Sequence, residues 1–250
     1  MWIALAFALS AIPGACLAAS DAAPAYHLAS AIPVQDASGK RVARLELLED
    51  ARLMPEIRAE WRGADAAMSF AEPSQEGMWN RLCDSIRRQP LRGAELRLTT
   101  ERGRVLDRRT FERELGEIAP IALYGAGRAV FAVTIDYGIG FGSYAGPTTR
   151  FAEVSGGRLH WIASYDAGSG KPTEIRVEST LKNDWQTVTG SAGLDILAVH
   201  CRPASADDAE FEIVYERYAF DGARWVRTER RERGLWEEDQ EFPPLDRFPR

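Results

Sequence analysis

The chain has 250 residues, of which 45% are hydrophobic and 27% charged, and its formal net charge is −6. This composition excludes a chain that is disordered throughout, because it supplies enough apolar surface to build a core. The acidic balance argues against nucleic-acid binding, since an acidic protein does not attract a polyanion over long range.

Residues 1–19 carry no charge and have the composition of a secretory signal peptide. An apolar run that ends at Ile12 is followed by Pro13-Gly14 and then by small residues, which is typical of a cleavage region. The run is too short to span a bilayer, which requires about 20 apolar residues. No Lys or Arg precedes Lys40, so the usual basic start is missing, and a buried N-terminal element is the alternative. We expect cleavage and a periplasmic or secreted protein without a transmembrane segment.

Cys16 raises the alternative of a lipid anchor. Gly14-Ala15-Cys16 matches the end of a bacterial lipoprotein signal, in which the cysteine is acylated. Pro13 stands where that signal carries Leu, so we favour simple cleavage over acylation. An acyl chain would attach the protein to a membrane without adding a spanning helix.

Two cysteines remain after cleavage, Cys83 and Cys201. An even number of cysteines in an oxidising compartment favours a disulfide between them. The alternative is a pair of buried free thiols, because cysteine is among the most buried residue types. Two cysteines are too few for a tetrahedral metal site, and the three histidines form no ligand motif, so we expect neither a metal nor a cofactor.

The N-terminal part of the chain predicts strands and one clear helix. Residues 26–34 predict the first strand, and apolar alternation resumes after a turn at 36–39. The helix is predicted at about 74–89, where Ser74 can cap it and Pro90 ends it. A second, short helix is predicted at 110–115.

The C-terminal half predicts an antiparallel β-structure. Gly156-Gly157 and Asp221-Gly222 each stand between two strand patterns and predict hairpins. Strands are predicted at 129–137, 151–154, 158–164, 174–180, 185–189, 194–201, 211–220 and 225–231. We therefore expect a mainly β fold, with α+β as the alternative, in which an antiparallel meander forms a barrel or a sandwich.

One mainly β domain is expected over residues 25–250. The alternative is a division into an N-terminal subdomain at 25–92 and a β-rich subdomain at 93–250, since the pattern becomes mostly β from residue 94 onward. A mature chain of about 230 residues is long enough for either organisation.

The stretch 137–147 is the most unusual local sequence, with four glycines among aromatic residues. It meets the loose dinucleotide-binding pattern, but a turn follows it instead of the required helix, so we reject that function. Aromatic area beside an approachable backbone favours recognition of an envelope protein or glycan by a non-enzymatic protein. The residues expected to contact the partner are Tyr137, Phe141, Ser143 and Tyr144. The alternative is that the glycines serve a bulge or a barrel corner.

The competing function is a cell-envelope hydrolase that acts on glycan or ester bonds. Its weak catalytic candidates are Asp136, Ser143 and His160, which could form a triad if the fold brought them together. Carboxylate pairs such as Asp136 with Glu153, or Asp166 with Glu174, could serve glycoside hydrolysis. A chain with 37 acidic residues offers many such pairs, so we favour a protein without enzymatic activity.

Two further groups of residues have alternative roles. Trp161 and Trp225 stand beside hairpin turns and are predicted to be exposed, where they could stack on sugar rings. A basic cluster is interpreted as a solvated edge hairpin, with an anionic-ligand patch as the alternative. Its members are Arg217, Arg224, Arg227, Arg230, Arg231 and Arg233.

Overall fold

The computed structural model describes residues 25–53, 90–124, 128–136, 143–144, 146–204 and 210–249. Within these ranges the chain forms strands and one 3₁₀ turn, and the predicted mainly β fold is confirmed. The strands are β1 (Tyr26–Gln35), β2 (Arg41–Asp50), β3 (Glu95–Thr99), β4 (Val105–Thr110), β5 (Leu115–Pro120), β6 (Ala129–Asp136), β7 (Thr148–Ser155), β8 (Arg158–Trp161), β9 (Ala163–Asp166), β10 (Pro172–Glu174), β11 (Arg176–Glu178), β12 (Asn183–Thr189), β13 (Leu194–Pro203), β14 (Phe211–Phe220) and β15 (Trp225–Arg233), and the 3₁₀ turn is Leu245–Arg247.

The strands form three sheets. Sheet 1 has the order β1-β2-β3-β4, and sheet 2 has the order β11-β7-β6-β5 with β8 beside β7. Sheet 3 has the order β10-β9-β15-β14-β13-β12, and its β9–β15 pair is parallel whereas the other pairs are antiparallel. No sheet of the described strands closes on itself. The sandwich-like arrangement is therefore present, and the predicted barrel is not.

Two hydrophobic cores lie between the sheets. The first packs sheet 1 against sheet 2 and includes Leu45, Leu47 and Phe131. The second packs sheet 2 against sheet 3 and includes Phe151 and Trp225. Leu45 and Leu47 stand on either side of Glu46, and the two-residue period of a strand places these two leucines together on one buried face.

The C-terminal segment after β15 covers the outer face of sheet 3. Trp236 and Phe248 are buried there against Cys201 and Tyr215. The Phe248 ring meets the Tyr215 ring edge-on, with 5.5 Å between the ring centres. This segment gives sheet 3 a second apolar layer, so both of its faces are covered over part of their area.

A set of polar contacts joins the end of β2 to the residues before β3. The Asp50 carboxylate accepts hydrogen bonds from the Arg52 side chain at 2.7 Å and from the Arg92 backbone N–H at 2.8 Å. Arg52 also donates to the carbonyl oxygen of Pro90 at 2.8 Å. Hydrogen bonds from Arg52 and Arg92 outweigh burial and hold the pKa of Asp50 well below its usual range. Strands β2 and β3 pair directly. Sheet 1 therefore contains strands from both sides of residue 92, where the alternative N-terminal subdomain would end.

Both predicted hairpins are confirmed. Gly156 and Gly157 connect β7 to β8 with φ values of 57° and 73°, the left-handed region that glycine adopts without strain. The residues 221–224 connect β14 to β15, where the Asp221 carboxylate accepts the backbone N–H groups of Ala223 and Arg224. These turns fix the register of the strands on either side.

The helix predicted at 110–115 is wrong. Residues 112–114 form bends between β4 and β5, and Ala94 exchanges backbone hydrogen bonds with Phe111 and Arg113, so these groups bond to another segment instead of along a helix. The helix predicted at 74–89 and the segment 1–19 lie outside the described residues. In the part of the chain that the structure describes, we find no helix that is long and apolar enough to cross a membrane.

The predicted disulfide is not present in the structure. Cys201 is a free thiol, buried under the C-terminal segment, and Cys83 lies outside the described residues. The Cys201 sulfur accepts the backbone N–H of Trp236 at 3.5 Å. The environment of Cys201 is therefore that of a packed core cysteine, which was the alternative interpretation.

Candidate functional site

The segment 137–147, which we call the loop at 137–147, lies in the sequence between β6 and β7, whose ends pair at Ile135 and Thr148. Ser143, in its described part, is half-buried, whereas Tyr144 is 48% exposed. The other residues expected to contact a partner, Tyr137 and Phe141, lie outside the described residues.

Gly146 holds the end of this loop against the connection between β11 and β12. A Cβ atom at this position would lie 2.1 Å from the carbonyl oxygen of Ser179, which is closer than side chains tolerate. Ser179 also donates its backbone N–H to the carbonyl oxygen of Pro147 at 3.0 Å. This glycine therefore has a structural role, which is close approach of two backbone segments.

The Tyr144 side chain lies near Lys182 and Cys201. Partial burial raises the pKa of Tyr144, Cys201 raises it further, and the positive charge of Lys182 opposes this shift. Lys182 is itself buried, is ion-paired with Glu237, and lies 5.2 Å from the centre of the Phe211 ring.

The structure does not bring the three hydrolase candidates together. Asp136 is the last residue of β6 and lies at the same end of sheet 2 as the loop that contains Ser143. His160 is exposed on β8 opposite Glu153, five residues along β7 from Thr148. That separation is about 16 Å at 3.3 Å per residue. Among the described contacts, no hydrogen bond links Ser143 to His160.

Of the carboxylate pairs considered for glycoside hydrolysis, the first lies too far apart for it, and the acids of the second are each engaged by an arginine. Glu153 pairs with Val130, six residues from Asp136 along β6, which is about 20 Å. The Asp166 carboxylate accepts backbone N–H groups from the turn that follows β9 and pairs with Arg227. Its hydrogen bonds to Ser169 and the charge of Arg227 lower the pKa of Asp166. Glu174 lies 3.4 Å from Arg150.

A buried charged cluster occupies the polar end of the inner face of sheet 3. Glu216 accepts a hydrogen bond from the Tyr218 hydroxyl at 2.6 Å and one from Arg227 Nε at 3.0 Å. The Nε2 atom of His200 lies 3.3 Å from the same carboxylate. Arg227 also donates from Nη1 to Asp166 Oδ2 at 3.1 Å, which adds Asp166 to the cluster. We call these five residues the Glu216 cluster.

The Glu216 cluster keeps its central acid ionised. Burial favours the neutral acid, but hydrogen bonds from His200, Arg227 and Tyr218 outweigh it and lower the pKa of Glu216 from its ordinary 4.5 to about 2. Burial and the adjacent Glu216 charge raise the pKa of Tyr218. A carboxylate and a phenol in these states do not exchange protons near neutral pH, so the cluster is suited to holding strands together.

Sequence reasoning missed the Glu216 cluster because its members come from four strands. Register alone brings them together: Tyr218 lies opposite Arg227, and Arg227 lies opposite Asp166. One local indication was present, since Glu216 stands between Val214 and Tyr218 on the face of the predicted strand 211–220 that points inward.

Trp225 contradicts its predicted exposure, because it is only 2% exposed. Its indole N–H donates to the Tyr124 hydroxyl at 2.7 Å, and its ring packs against Phe220. Trp161 is half-buried and meets the Phe111 ring edge-on, with 6.2 Å between the ring centres. Neither tryptophan therefore presents an open stacking face of the kind predicted.

The basic cluster is neutralised by acids of the same sheet and its turns. The ion pairs are Arg217 with Asp195, Arg224 with Asp221, Arg227 with Asp166, Glu216 and Glu229, Arg230 with Glu232, Arg231 with Glu212 and Glu229, and Arg233 with Glu210. This pattern agrees with a solvated hairpin and gives no concentrated basic patch at these residues.

Within the described ranges, no three His, Cys, Asp or Glu side chains gather as they would around a metal ion. No protein-family model, curated protein sequence or solved structure matches this chain. Function must therefore be argued from the residues and their arrangement.

Proposed function

We propose that this chain is a non-enzymatic binding protein that captures a macromolecular partner through the loop at 137–147. The observation that carries the proposal is Tyr144, an aromatic residue 48% exposed, two residues before a backbone segment fixed against Ser179. An exposed tyrosine supplies a large contact area and loses only two side-chain torsions on binding. Backbone that is held in place close to the contact residue loses less entropy on binding, which favours affinity.

The proposed partner is a protein of the cell envelope. The cell envelope is favoured by the uncharged N-terminal segment, with its apolar run and small residues before Ser20. A protein is favoured over a glycan because Tyr144 is accompanied by a half-buried serine and approachable backbone, a combination that protein-recognition loops use. A glycan, which would stack on an open aromatic face, is the other outcome of the test.

Hydrolysis is the less favoured function. Ser143 and His160 are not in contact, and Glu153 is about 20 Å from Asp136 along the sheet. Glu216 itself is not poised as an acid or base near neutral pH, because its pKa is lowered to about 2. These observations support binding as the role of the chain.

Site-specific crosslinking tests the proposal. A photoreactive amino acid is placed at Tyr144 and, as a matched control, at Leu28, which is 52% exposed on sheet 1. We expect a crosslinked protein partner from envelope extract at the first position and none at the second. With that partner purified, Tyr144→Ala should weaken binding at least about tenfold, as for a central aromatic contact, while Leu28→Ala should leave it unchanged.

Three outcomes would contradict the proposal. The first is equal crosslinking at both positions, and the second is a crosslink to glycan alone. The third is turnover on a panel of glycan and ester substrates that is abolished by Ser143→Ala or His160→Ala in folded protein. The third outcome would establish the hydrolase.

A further inference from the structure

Three exposed hydrophobic side chains lie around one end of sheet 3. They are Tyr144, Leu181 and Leu235, which are 48%, 54% and 47% exposed. Leu181 stands two residues before β12, and Leu235 stands two residues after β15. The strand pairing brings the start of β12 and the end of β15 to the same end of sheet 3. We call these three residues the Tyr144 patch.

Contacts with Cys201 connect Leu181 to Leu235. The backbone N–H of Cys201 donates to the carbonyl oxygen of Lys182 at 2.8 Å. The Sγ atom of Cys201 accepts the backbone N–H of Trp236 at 3.5 Å. Leu181 and Leu235 are therefore each the neighbour in the chain of a residue that contacts Cys201.

Tyr144 reaches the same point from the loop at 137–147. Both Cys201 and Lys182 lie close enough to its hydroxyl to influence its pKa. Backbone hydrogen bonding holds this region together, since Glu238 donates its N–H to the carbonyl oxygen of Leu181 at 3.0 Å. Apolar side chains that are grouped in this way and bordered by polar residues mark interaction surfaces, whereas single exposed ones do not.

The segment after Trp236 borders the patch with negative charge. Its acids are Glu237, Glu238, Asp239 and Glu241. Glu237 pairs with Lys182, whereas the other three are exposed and form no ion pair within the described ranges. Because Glu238 is bonded to Leu181 through its backbone, this charge lies directly beside the patch. Such a border attracts a basic partner and repels an acidic one.

The acidic border decides among the occupants that an apolar patch can have. A second copy of this chain would bring the same four acids to the interface, and like charges that face each other oppose association. A membrane surface rich in anionic lipids would be repelled for the same reason. A protein segment that carries apolar side chains next to Lys or Arg complements both the patch and its border.

We infer that the Tyr144 patch binds a segment of the protein partner in which apolar side chains stand next to Lys or Arg. The apolar side chains of that segment cover Tyr144, Leu181 and Leu235, and its basic side chains lie against Glu238 and its neighbours. This inference rests on the proposed function, because Tyr144 belongs to both. It adds the two leucines to the binding surface and a chemical character to the partner.

Three synthetic peptides of equal length test the inference on the full chain. The first combines Leu with Lys, the second Leu with Glu, and the third Ser with Lys. Binding is measured by fluorescence anisotropy of a label on the peptide. We expect saturable binding of the Leu–Lys peptide and at least about tenfold weaker binding of the other two. Added salt should weaken binding of the Leu–Lys peptide, because salt screens exposed charges.

Substitutions in the chain locate the binding surface. Leu181→Ser and Leu235→Ser should each weaken binding of the Leu–Lys peptide at least about fivefold. Leu28→Ser is the matched control, since Leu28 is 52% exposed on sheet 1, and it should leave binding unchanged. Glu238→Lys should weaken binding severalfold more than Glu101→Lys, which makes the same change of charge at an exposed turn residue after β3. Circular dichroism checks the fold of each variant, and if Leu235→Ser does not fold, Leu181→Ser and Glu238→Lys decide the question.

Four outcomes would overturn the inference. The first is the absence of saturable binding by the Leu–Lys peptide, and the second is equal affinity for the Leu–Glu peptide. The third is a loss of affinity in Leu28→Ser as large as in Leu235→Ser. The fourth is a dimer of the chain alone, seen by sedimentation, that Leu235→Ser dissociates, because it would assign the patch to a second copy.

The peptides also separate this inference from the proposed function. The crosslink at Tyr144 tests the capture of a natural partner and uses none of the peptides. A protein crosslink at Tyr144 without selective binding of the Leu–Lys peptide would overturn this inference alone. Selective binding of that peptide, lost in Leu181→Ser, without a crosslink at Tyr144 would support the specificity of the patch and contradict the capture of an envelope partner.

Discussion

Glu216 is the residue whose burial and contacts predict the largest single effect on the stability of sheet 3. It is an acid on the inner face of a central strand, and a buried carboxylate is tolerated only when donors surround it. Here Tyr218, Arg227 and His200 all approach it. Removing one member of such a network leaves the others buried and unpaired. The resulting loss in the free energy of unfolding exceeds what the intact network contributes to it.

The lowered pKa of Glu216 gives a pH-dependent prediction. Because the folded state lowers this pKa from 4.5 to about 2, the stabilisation is complete above pH 4.5 and is lost as the pH falls towards 2. Glu216→Gln should reduce the free energy of unfolding by about 3 kcal/mol at pH 7. The difference from the native chain should shrink between pH 4.5 and 2, as measured by urea unfolding. The exposed control Glu238→Gln should change stability by less than about 0.5 kcal/mol at all pH values. A difference that stays constant with pH would contradict this account.

At the scale of elements, local sequence patterns predict the bounds of a strand correctly when turn residues mark its ends. The strand predicted at 211–220 has those bounds in the structure, and the hairpin at Asp221-Gly222 explains why. The strands predicted at 158–164 and 174–180 are instead divided, at Ile162 and Ile175. The two halves of each predicted strand belong to different sheets. The backbone N–H of Ile175 donates to the carbonyl oxygen of Ile162 where the two segments pass from one sheet to the other.

Such a change of sheet is a long-range property. Both segments keep their strand composition through the break, so alternation along the sequence cannot mark it. The same limit applies to the candidate sites. The unusual composition of 137–147 could be recognised in the sequence, but the Glu216 cluster depends on pairing between strands that are distant in the sequence, such as Arg227 with Asp166.

The loop at 137–147 allows a prediction about a connection between elements. Gly146→Ala should displace the loop from Ser179, because the added Cβ would meet a backbone oxygen at 2.1 Å. We expect a loss of about 1–3 kcal/mol in the free energy of unfolding, together with weaker partner binding. Gly168→Ala is the control, since its Cβ would lie at an ordinary 3.4 Å from Asp166. Unchanged stability in Gly146→Ala would show that the loop is not held at this point.

At the scale of the whole molecule, the stacked sheets and the C-terminal segment enclose the free Cys201 thiol. We expect a thiol reagent to modify Cys201 only after unfolding, and to do so without prior reduction. Peptide mass spectrometry after alkylation in denaturant, with and without a reducing agent, measures this directly. Alkylation of Cys201 that requires the reducing agent would contradict the structure and restore the disulfide with Cys83.

The contacts of Asp50 and Arg52 with Pro90 and Arg92 have a consequence for how this protein can vary. The chain leaves sheet 1 after β2 and returns beside the same point before β3, because these side chains hold the two ends together. The entropy of closing a connection grows only slowly with its length. The register of β2 and β3 is therefore set by described residues on either side of the connection, and a change in the length of that connection, by insertion, deletion or grafting, should leave the register intact.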